Sequence, residues 1–343
     1  MKKLLSAVIL FFLVNHSCAQ KISAANYKFL QKKEDSLKLL ADKILNGRSP
    51  EERFNADSLF TRVFVRALVT PHSFHFPFDS LESISKLSPP DSSFRIFTWQ
   101  LVLNDDKIRQ HGAIQMRTSD GSLKLFPLID RSDNTKRITD TIGNNRGWIG
   151  AIYYKILQRK NGSQDFYTLL GYDEYSIRSN RKIIEVLQFN NDEPVFGSRI
   201  FSFEEDTIFK SSISRFVMEY KKEAGARLTY DRDMDMIIYE HLVSENGQPE
   251  KRWTYVGDGD YEGFKWKNGK WIHVEKVFNY VTPLDQEPVP MPIRDVNGNI
   301  DENKIKNNGS EEEKVEEKPV EEKPKPATNP KPKTPVKKKS GKG

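Results

Sequence analysis

The 343-residue chain has one cysteine, Cys18, and it lies in a segment that reads as a leader. A mature chain cut just beyond it has no thiol, which excludes thiol catalysis, cysteine-based zinc sites and disulfides together. There is no Gly-x-Ser-x-Gly elbow, no Walker loop, no dinucleotide-binding glycine fingerprint and no His-Glu-x-x-His, so nucleotide-driven chemistry and the common hydrolase motifs are unsupported. Net charge is scarce where folding is expected: residues 20–300 hold 40 Lys+Arg against 39 Asp+Glu. The overall excess of +6 comes mostly from the two ends, so the basic balance is no argument for nucleic-acid binding. Aromatics are absent after Tyr280, and a packed core is not expected past that point.

What is present begins with a leader. Lys2 and Lys3 precede a mostly apolar run over 4–14, the charged and apolar regions of a secretory signal. That run is too short to span a bilayer, which needs about 20 apolar residues. Ser17 and Ala19 place small residues at −3 and −1 of a cut before Gln20. The alternative is lipidation at Cys18, which Asn15 and His16 fit poorly. The expected location is therefore outside the cytoplasm, in the periplasm or beyond, with outer-membrane association only if Cys18 carries lipid.

Residues 27–46 carry an amphipathic helical stripe, Tyr27, Leu30, Leu37, Leu40, Ala41, Ile44 and Leu45, interrupted at Lys33 and Glu34 and stopped by Gly47. Ser49-Pro50-Glu51-Glu52 then caps a second helix, with Ala56, Leu59, Phe60, Val63, Phe64, Ala67 and Leu68 as its buried face. Beyond Pro71 the period changes from 3.6 to 2. Short strands are expected from Phe94 to Val277, among them single strands over 194–201, 251–256 and 261–267, separated by turn signals such as Asn161-Gly162 and Asn268-Gly269. Around the latter, Trp266 should oppose Trp271 across a type I′ turn. Ten of the 18 prolines lie between 283 and 335, amid Glu/Lys-rich sequence that cannot bury a core. The fold class expected is α+β: a helical hairpin at 20–71 packed on a large, mostly antiparallel β-meander at 72–282. The leader occupies 1–19, and a disordered tail runs over 283–343.

Several strand segments carry a resemblance. Phe94-Arg95-Ile96-Phe97-Thr98-Trp99, Trp148-Ile149-Gly150-Ala151-Ile152-Tyr153-Tyr154-Lys155, Leu169-Leu170-Gly171-Tyr172-Asp173, Pro194-Val195-Phe196-Gly197, Tyr239-Glu240-His241-Leu242 and Tyr261-Glu262-Gly263-Phe264 together resemble exported proteins of Bacteroidetes that have no assigned activity. The resemblance covers about residues 90–280 and implies kinship and export only.

Two clusters are candidates for chemistry. Trp253, Tyr255, Asp258, Asp260, Tyr261, Trp266 and Trp271 combine aromatic faces with carboxylates, as a sugar-binding surface does; paired carboxylates can also perform glycosidic acid–base work at a fixed separation. The same residues suit strands, and Gly257-Asp258-Gly259-Asp260 suits a turn. Asp231, Asp233 and Asp235 alternate as calcium ligands can. Met236 and Leu242 stand where an EF-hand loop needs Gly and Glu, so that motif is excluded and a polar hairpin turn is the competing account. His72, His75, His111, His241 and His273 read as scattered structural or surface residues. The lysines from Lys325 to Lys342 can touch an anionic surface, or form a plain solvated end.

The function expected is a non-enzymatic envelope component, binding or structural, with a glycan, peptidoglycan or another envelope protein as partner and no cofactor. The alternatives are a hydrolase using Asp or Glu on the sheet and a calcium-stabilised module. N-terminal sequencing of the protein recovered from cells should begin at Gln20. A lipidated Cys18 or a retained Met1 would contradict the cut.

Overall fold

The computed structural model describes residues 22–104, 107–206 and 210–278. The leader at 1–19 with its cut before Gln20, and the tail at 283–343 with its lysines, lie outside the described residues.

Helix α1 (Ala24–Asn46) is capped by Ser23, whose hydroxyl accepts from the Asn26 N–H at 3.1 Å. Helix α2 (Pro50–Leu68) starts as its sequence predicts: Ser49 Oγ accepts from the Glu52 N–H at 3.1 Å, and proline opens the first turn. The Glu52 carboxylate reaches one residue further back than a capping box, to the Arg48 N–H at 3.0 Å. Leu30, Leu37, Ala41 and Ile44 pack with Phe60, Phe64 and Leu68. The break in the α1 stripe has a cause. Glu34 turns inward and accepts from the Ser80 N–H at 2.7 Å. Tyr27, Leu45 and Leu59, expected in the buried stripes, are exposed.

The strands in chain order are β1 (Ser85–Leu87), β2 (Phe94–Asn104), β3 (Lys107–Met116), β4 (Lys124–Ile129), β5 (Gly143–Asn144), β6 (Ile152–Asn161), β7 (Gln164–Asp173), β8 (Ser179–Asn190), β9 (Glu193–Phe196), β10 (Phe201–Ser202), β11 (Phe216–Lys221), β12 (Leu228–Asp231), β13 (Met236–Ser244), β14 (Tyr255–Lys267) and β15 (Lys270–Val274). They form three sheets rather than one continuous meander. The first is β1-β2-β3-β4. The second is β5-β9-β8-β7-β6, with β11 beside the first half of β8. The third is β10-β15-β14-β13-β12. Among these pairings only β10 with β15 is parallel. The single strand expected over 194–201 breaks because Gly197 adopts φ +93° with its α-carbon close to the Thr141 carbonyl: a Cβ there would lie 2.8 Å from that oxygen. The Asn268-Gly269 hairpin forms as expected, both turn residues having positive φ, and Trp266 faces Trp271 with ring centroids 5.2 Å apart.

Side-chain parity stacks the sheets. From β2, Phe97, Trp99 and Leu101 pack under the helices, while Phe94 and Ile96 pack against the second sheet. From β8, Ile183 and Leu187 face the first sheet and Ile184 and Val186 face the third. The second sheet is therefore buried on both faces, and it encloses an ion pair. Glu185 Oε2 lies 2.5 Å from Arg215 Nε, both side chains being at most 1% exposed. Burial pushes the Glu185 carboxyl up, and Arg215 opposes that push. Arg215 also donates to the Ile138 carbonyl and, at 3.3 Å, to that of Thr141, so it pins the 138–141 segment.

Glu185→Gln should destabilise the fold by about 3–5 kcal/mol in denaturant unfolding, because it strands a buried guanidinium. Glu185→Leu with Arg215→Met should cost far less. Equal losses in the two variants would contradict the pairing.

Candidate functional site

The third sheet changes character along its inner face. Ile237, Phe264 and Trp271 are apolar and belong to the core shared with the second sheet. Further along the same face stand Tyr239, His241, Glu262 and His273. Here the ladder between β13 and β14 is interrupted. Glu240 pairs with Tyr261 and Leu242 pairs with Gly257, so Asp258, Gly259 and Asp260 all lie opposite His241. The segment read as a turn is a bulge inside one long strand. Gly259 takes φ +90° within it. At its base, Gly257 leaves room for the Glu240 carboxylate: a Cβ there would come within 2.1 Å of Glu240 Oε1 and would push that side chain aside. Bulges of this kind re-aim side chains. This one turns Asp258 back, so that its Oδ2 lies 2.7 Å from His241 Nδ1 while its Oδ1 accepts from the Asp260 N–H at 3.1 Å.

A chain of ionisable groups follows. His241 Nε2 is 3.7 Å from Glu262 Oε1. Glu262 Oε2 accepts from the Tyr239 hydroxyl at 2.8 Å and stands 3.1 Å from His273 Nε2. His273 Nδ1 faces Asp206 at 2.8 Å. Burial lowers the pKa of His273, but hydrogen bonds to Glu262 and Asp206 outweigh it and hold the ring above its ordinary value. Burial raises Glu262, yet its bonds with His273 and Tyr239 leave it below the usual carboxylate range. Asp258 ends lower as well: burial raises it, but the His241 ring and the Asp260 N–H more than compensate. Burial drives the Tyr239 phenol well up, which keeps it a donor.

These groups border an open cleft of 510 Å³ between the second and third sheets. Glu240, His241, Glu262, Arg252 and Tyr255 form one wall, Arg181, Val217 and Glu219 the other, and Ile138 and Thr139 close an end. The opposite wall is held by its own pairs: Arg181 Nη2 meets Glu219 Oε2 at 2.9 Å, and Ser179 donates to Glu219 Oε1 at 2.8 Å. Arg215 fixes the closing segment through the Ile138 carbonyl.

The seven residues singled out in sequence do not assemble into one surface. Tyr255 lines the cleft, and Asp258 orients a lining histidine. Trp253 lines an adjoining depression. Asp260 points to Lys276 at 3.8 Å, and the Tyr261 ring packs edge-on against Phe278. Trp271 is wholly buried and donates to Thr168 Oγ1 at 3.0 Å, with Trp266 packed beside it and Phe166. Trp271 belongs to the core, and Trp266 is a half-buried residue packed against it. The aspartate trio is a hairpin turn. Asp231 Oδ1 accepts from the backbone N–H groups of Asp233 and Met234, both at 2.9 Å. Asp235 is turned to Arg159 and Tyr230. Among the described residues no group of three or more His, Cys, Asp or Glu is arranged to hold a metal ion. Sequence reading missed His241, Glu262, His273, Arg181 and Glu219. The one local signal was the strand parity that puts Tyr239 and His241 on the same face.

Comparison with known proteins leaves the site to be read from its geometry: no family model matches the chain, nor does any curated protein or solved structure.

The pH dependence of stability follows from two groups with separate windows. Because the folded pKa of His273 is raised, its contribution is complete below its ordinary 6.5 and is lost as pH rises through the folded value. Burial pushes Asp173, on β7, up to about 7, so the stability linked to it is lost between its ordinary 3.8 and about 7. In melting curves, His273→Gln should flatten the decline above pH 6.5, and Asp173→Asn the decline between pH 4 and 7. Parallel curves for the wild type and both variants would contradict the assignment.

Proposed function

We propose that the protein is an exported, envelope-associated binding protein that holds a sugar in this cleft and does not cleave it. The leader supports the location. The observation that carries the binding reading is the three-residue bulge, which departs from the ladder only to place Asp258 on His241 at the cleft wall. Sugar hydroxyls both donate and accept. The cleft provides an acceptor in Glu262, donors in Arg252 on the same wall and Arg181 on the other, and an apolar face in Tyr255. Hydrolysis of a glycosidic bond needs one carboxyl kept protonated by a raised pKa. Glu262 and Asp258 are both held low, which favours acceptance of hydrogen bonds over donation of a proton.

The test is co-sedimentation of the full chain with insoluble peptidoglycan. The protein should be retained and should be displaced by the free disaccharide of N-acetylglucosamine. Arg252→Ala should weaken retention several-fold at an unchanged melting temperature. Undiminished retention of that variant would contradict the site. Release of new reducing ends would establish the hydrolase reading instead.

A further inference from the structure

The cleft continues into a second depression. Glu219, held by Arg181, stands between them: it lines the 510 Å³ cleft on one side and an open depression of 640 Å³ on the other. The second is bordered by Tyr175 to Arg178, on the connection from β7 to β8, by Ser179 at the start of β8, and by Trp253, on the connection from β13 to β14. Together the two exceed the roughly 1,000 Å³ at which small-molecule sites end, which is more room than one sugar ring requires.

Three aromatic rings recur along this path, and each is stacked by a guanidinium. The Arg252 Cζ lies 4.7 Å from the Tyr255 centroid, Arg181 3.1 Å from Tyr175, and Arg178 4.3 Å from Trp253. A stacked guanidinium fixes the plane of its ring and sets N–H donors along the ring edge. A flat apolar platform edged by donors matches a pyranose, which has an apolar C–H face and hydroxyls around its rim. Repetition of that unit matches a chain of such rings. Charge restricts the class further. The linings of the two depressions set Arg178, Arg181, Lys210 and Arg252 against Asp133, Glu219, Glu240 and Glu262, with Arg181 paired to Glu219 at 2.9 Å, so the groove has no surplus positive charge to attract an acidic polymer.

We infer that the cleft and the adjoining depression form one groove that binds a linear oligosaccharide without net charge, several rings long, with Trp253 and Tyr175 as its distal platforms. This rests on the sugar-binding reading and names its ligand class. Calorimetry on the full chain with the disaccharide and hexasaccharide of N-acetylglucosamine, and with a hexamer of galacturonic acid, tests it. Affinity should rise at least about tenfold from disaccharide to neutral hexasaccharide. Trp253→Ala and, independently, Tyr175→Ala should abolish that gain while leaving disaccharide affinity and melting temperature unchanged. Length-independent affinity, an equal loss for both lengths in these variants, or preference for the acidic hexamer would overturn the extended groove while leaving the cleft intact. Failure of both neutral sugars to bind would overturn the sugar-binding reading itself, and the extension with it.

Discussion

Burial of the second sheet on both faces is the constraint to which the other features answer. With the first sheet and the helices on one side and the third sheet on the other, the polar groups at its centre are cut off from water and find their partners within the protein. Glu185 is matched by Arg215. Thr168 accepts from Trp271 of the third sheet, and Thr98 of the first accepts from the Tyr153 N–H at 3.1 Å. These bonds tie the layers at defined points, where apolar contact alone would allow them to slide.

The same ion pair reaches the cleft. Arg215 has more donors than one carboxylate requires, and it directs others to carbonyls of the 138–141 segment that closes the cleft. The core thus positions one end of the site and the bulge on β14 positions the wall. Between them, the inner face of the third sheet passes from tryptophan and phenylalanine to tyrosine, histidine and glutamate, so the sandwich is dry at one end and wettable at the other. A cleft at the polar mouth of two packed sheets costs the core little, because the ionisable groups there satisfy one another.

Local signals in the sequence were reliable where the cause is local. Ser49 caps its helix because the hydroxyl and its N–H partner are three residues apart. Asn268-Gly269 turns because both residues tolerate positive φ. Features with distant causes were not legible. Glu34 interrupts a helical stripe because of Ser80, 46 residues away. The Gly-Asp-Gly-Asp segment has the composition of a turn and forms a bulge because β13 continues past it. Trp266 and Trp271 looked as fit for a ligand as Trp253 does; that Trp271 is buried and Trp266 packs against it depends on Phe166 and Thr168, which only the stacking of sheets brings near. His241 and His273 carry no motif, and their partners lie between 11 and 67 residues away along the chain.

The five tryptophan indole N–H groups report most directly whether ligand enters the groove between the second and third sheets. Trp271 lies in the core with the half-buried Trp266 packed against it, Trp148 donates to the buried Tyr153 hydroxyl, and Trp99 donates to Asp57 beneath the helices. Trp253 borders the groove. In proton–nitrogen correlation spectra recorded while the neutral hexasaccharide is titrated in, the Trp253 indole signal should move progressively and the other four should stay in place. Movement of the Trp99 signal, or of none of the five, would contradict the account.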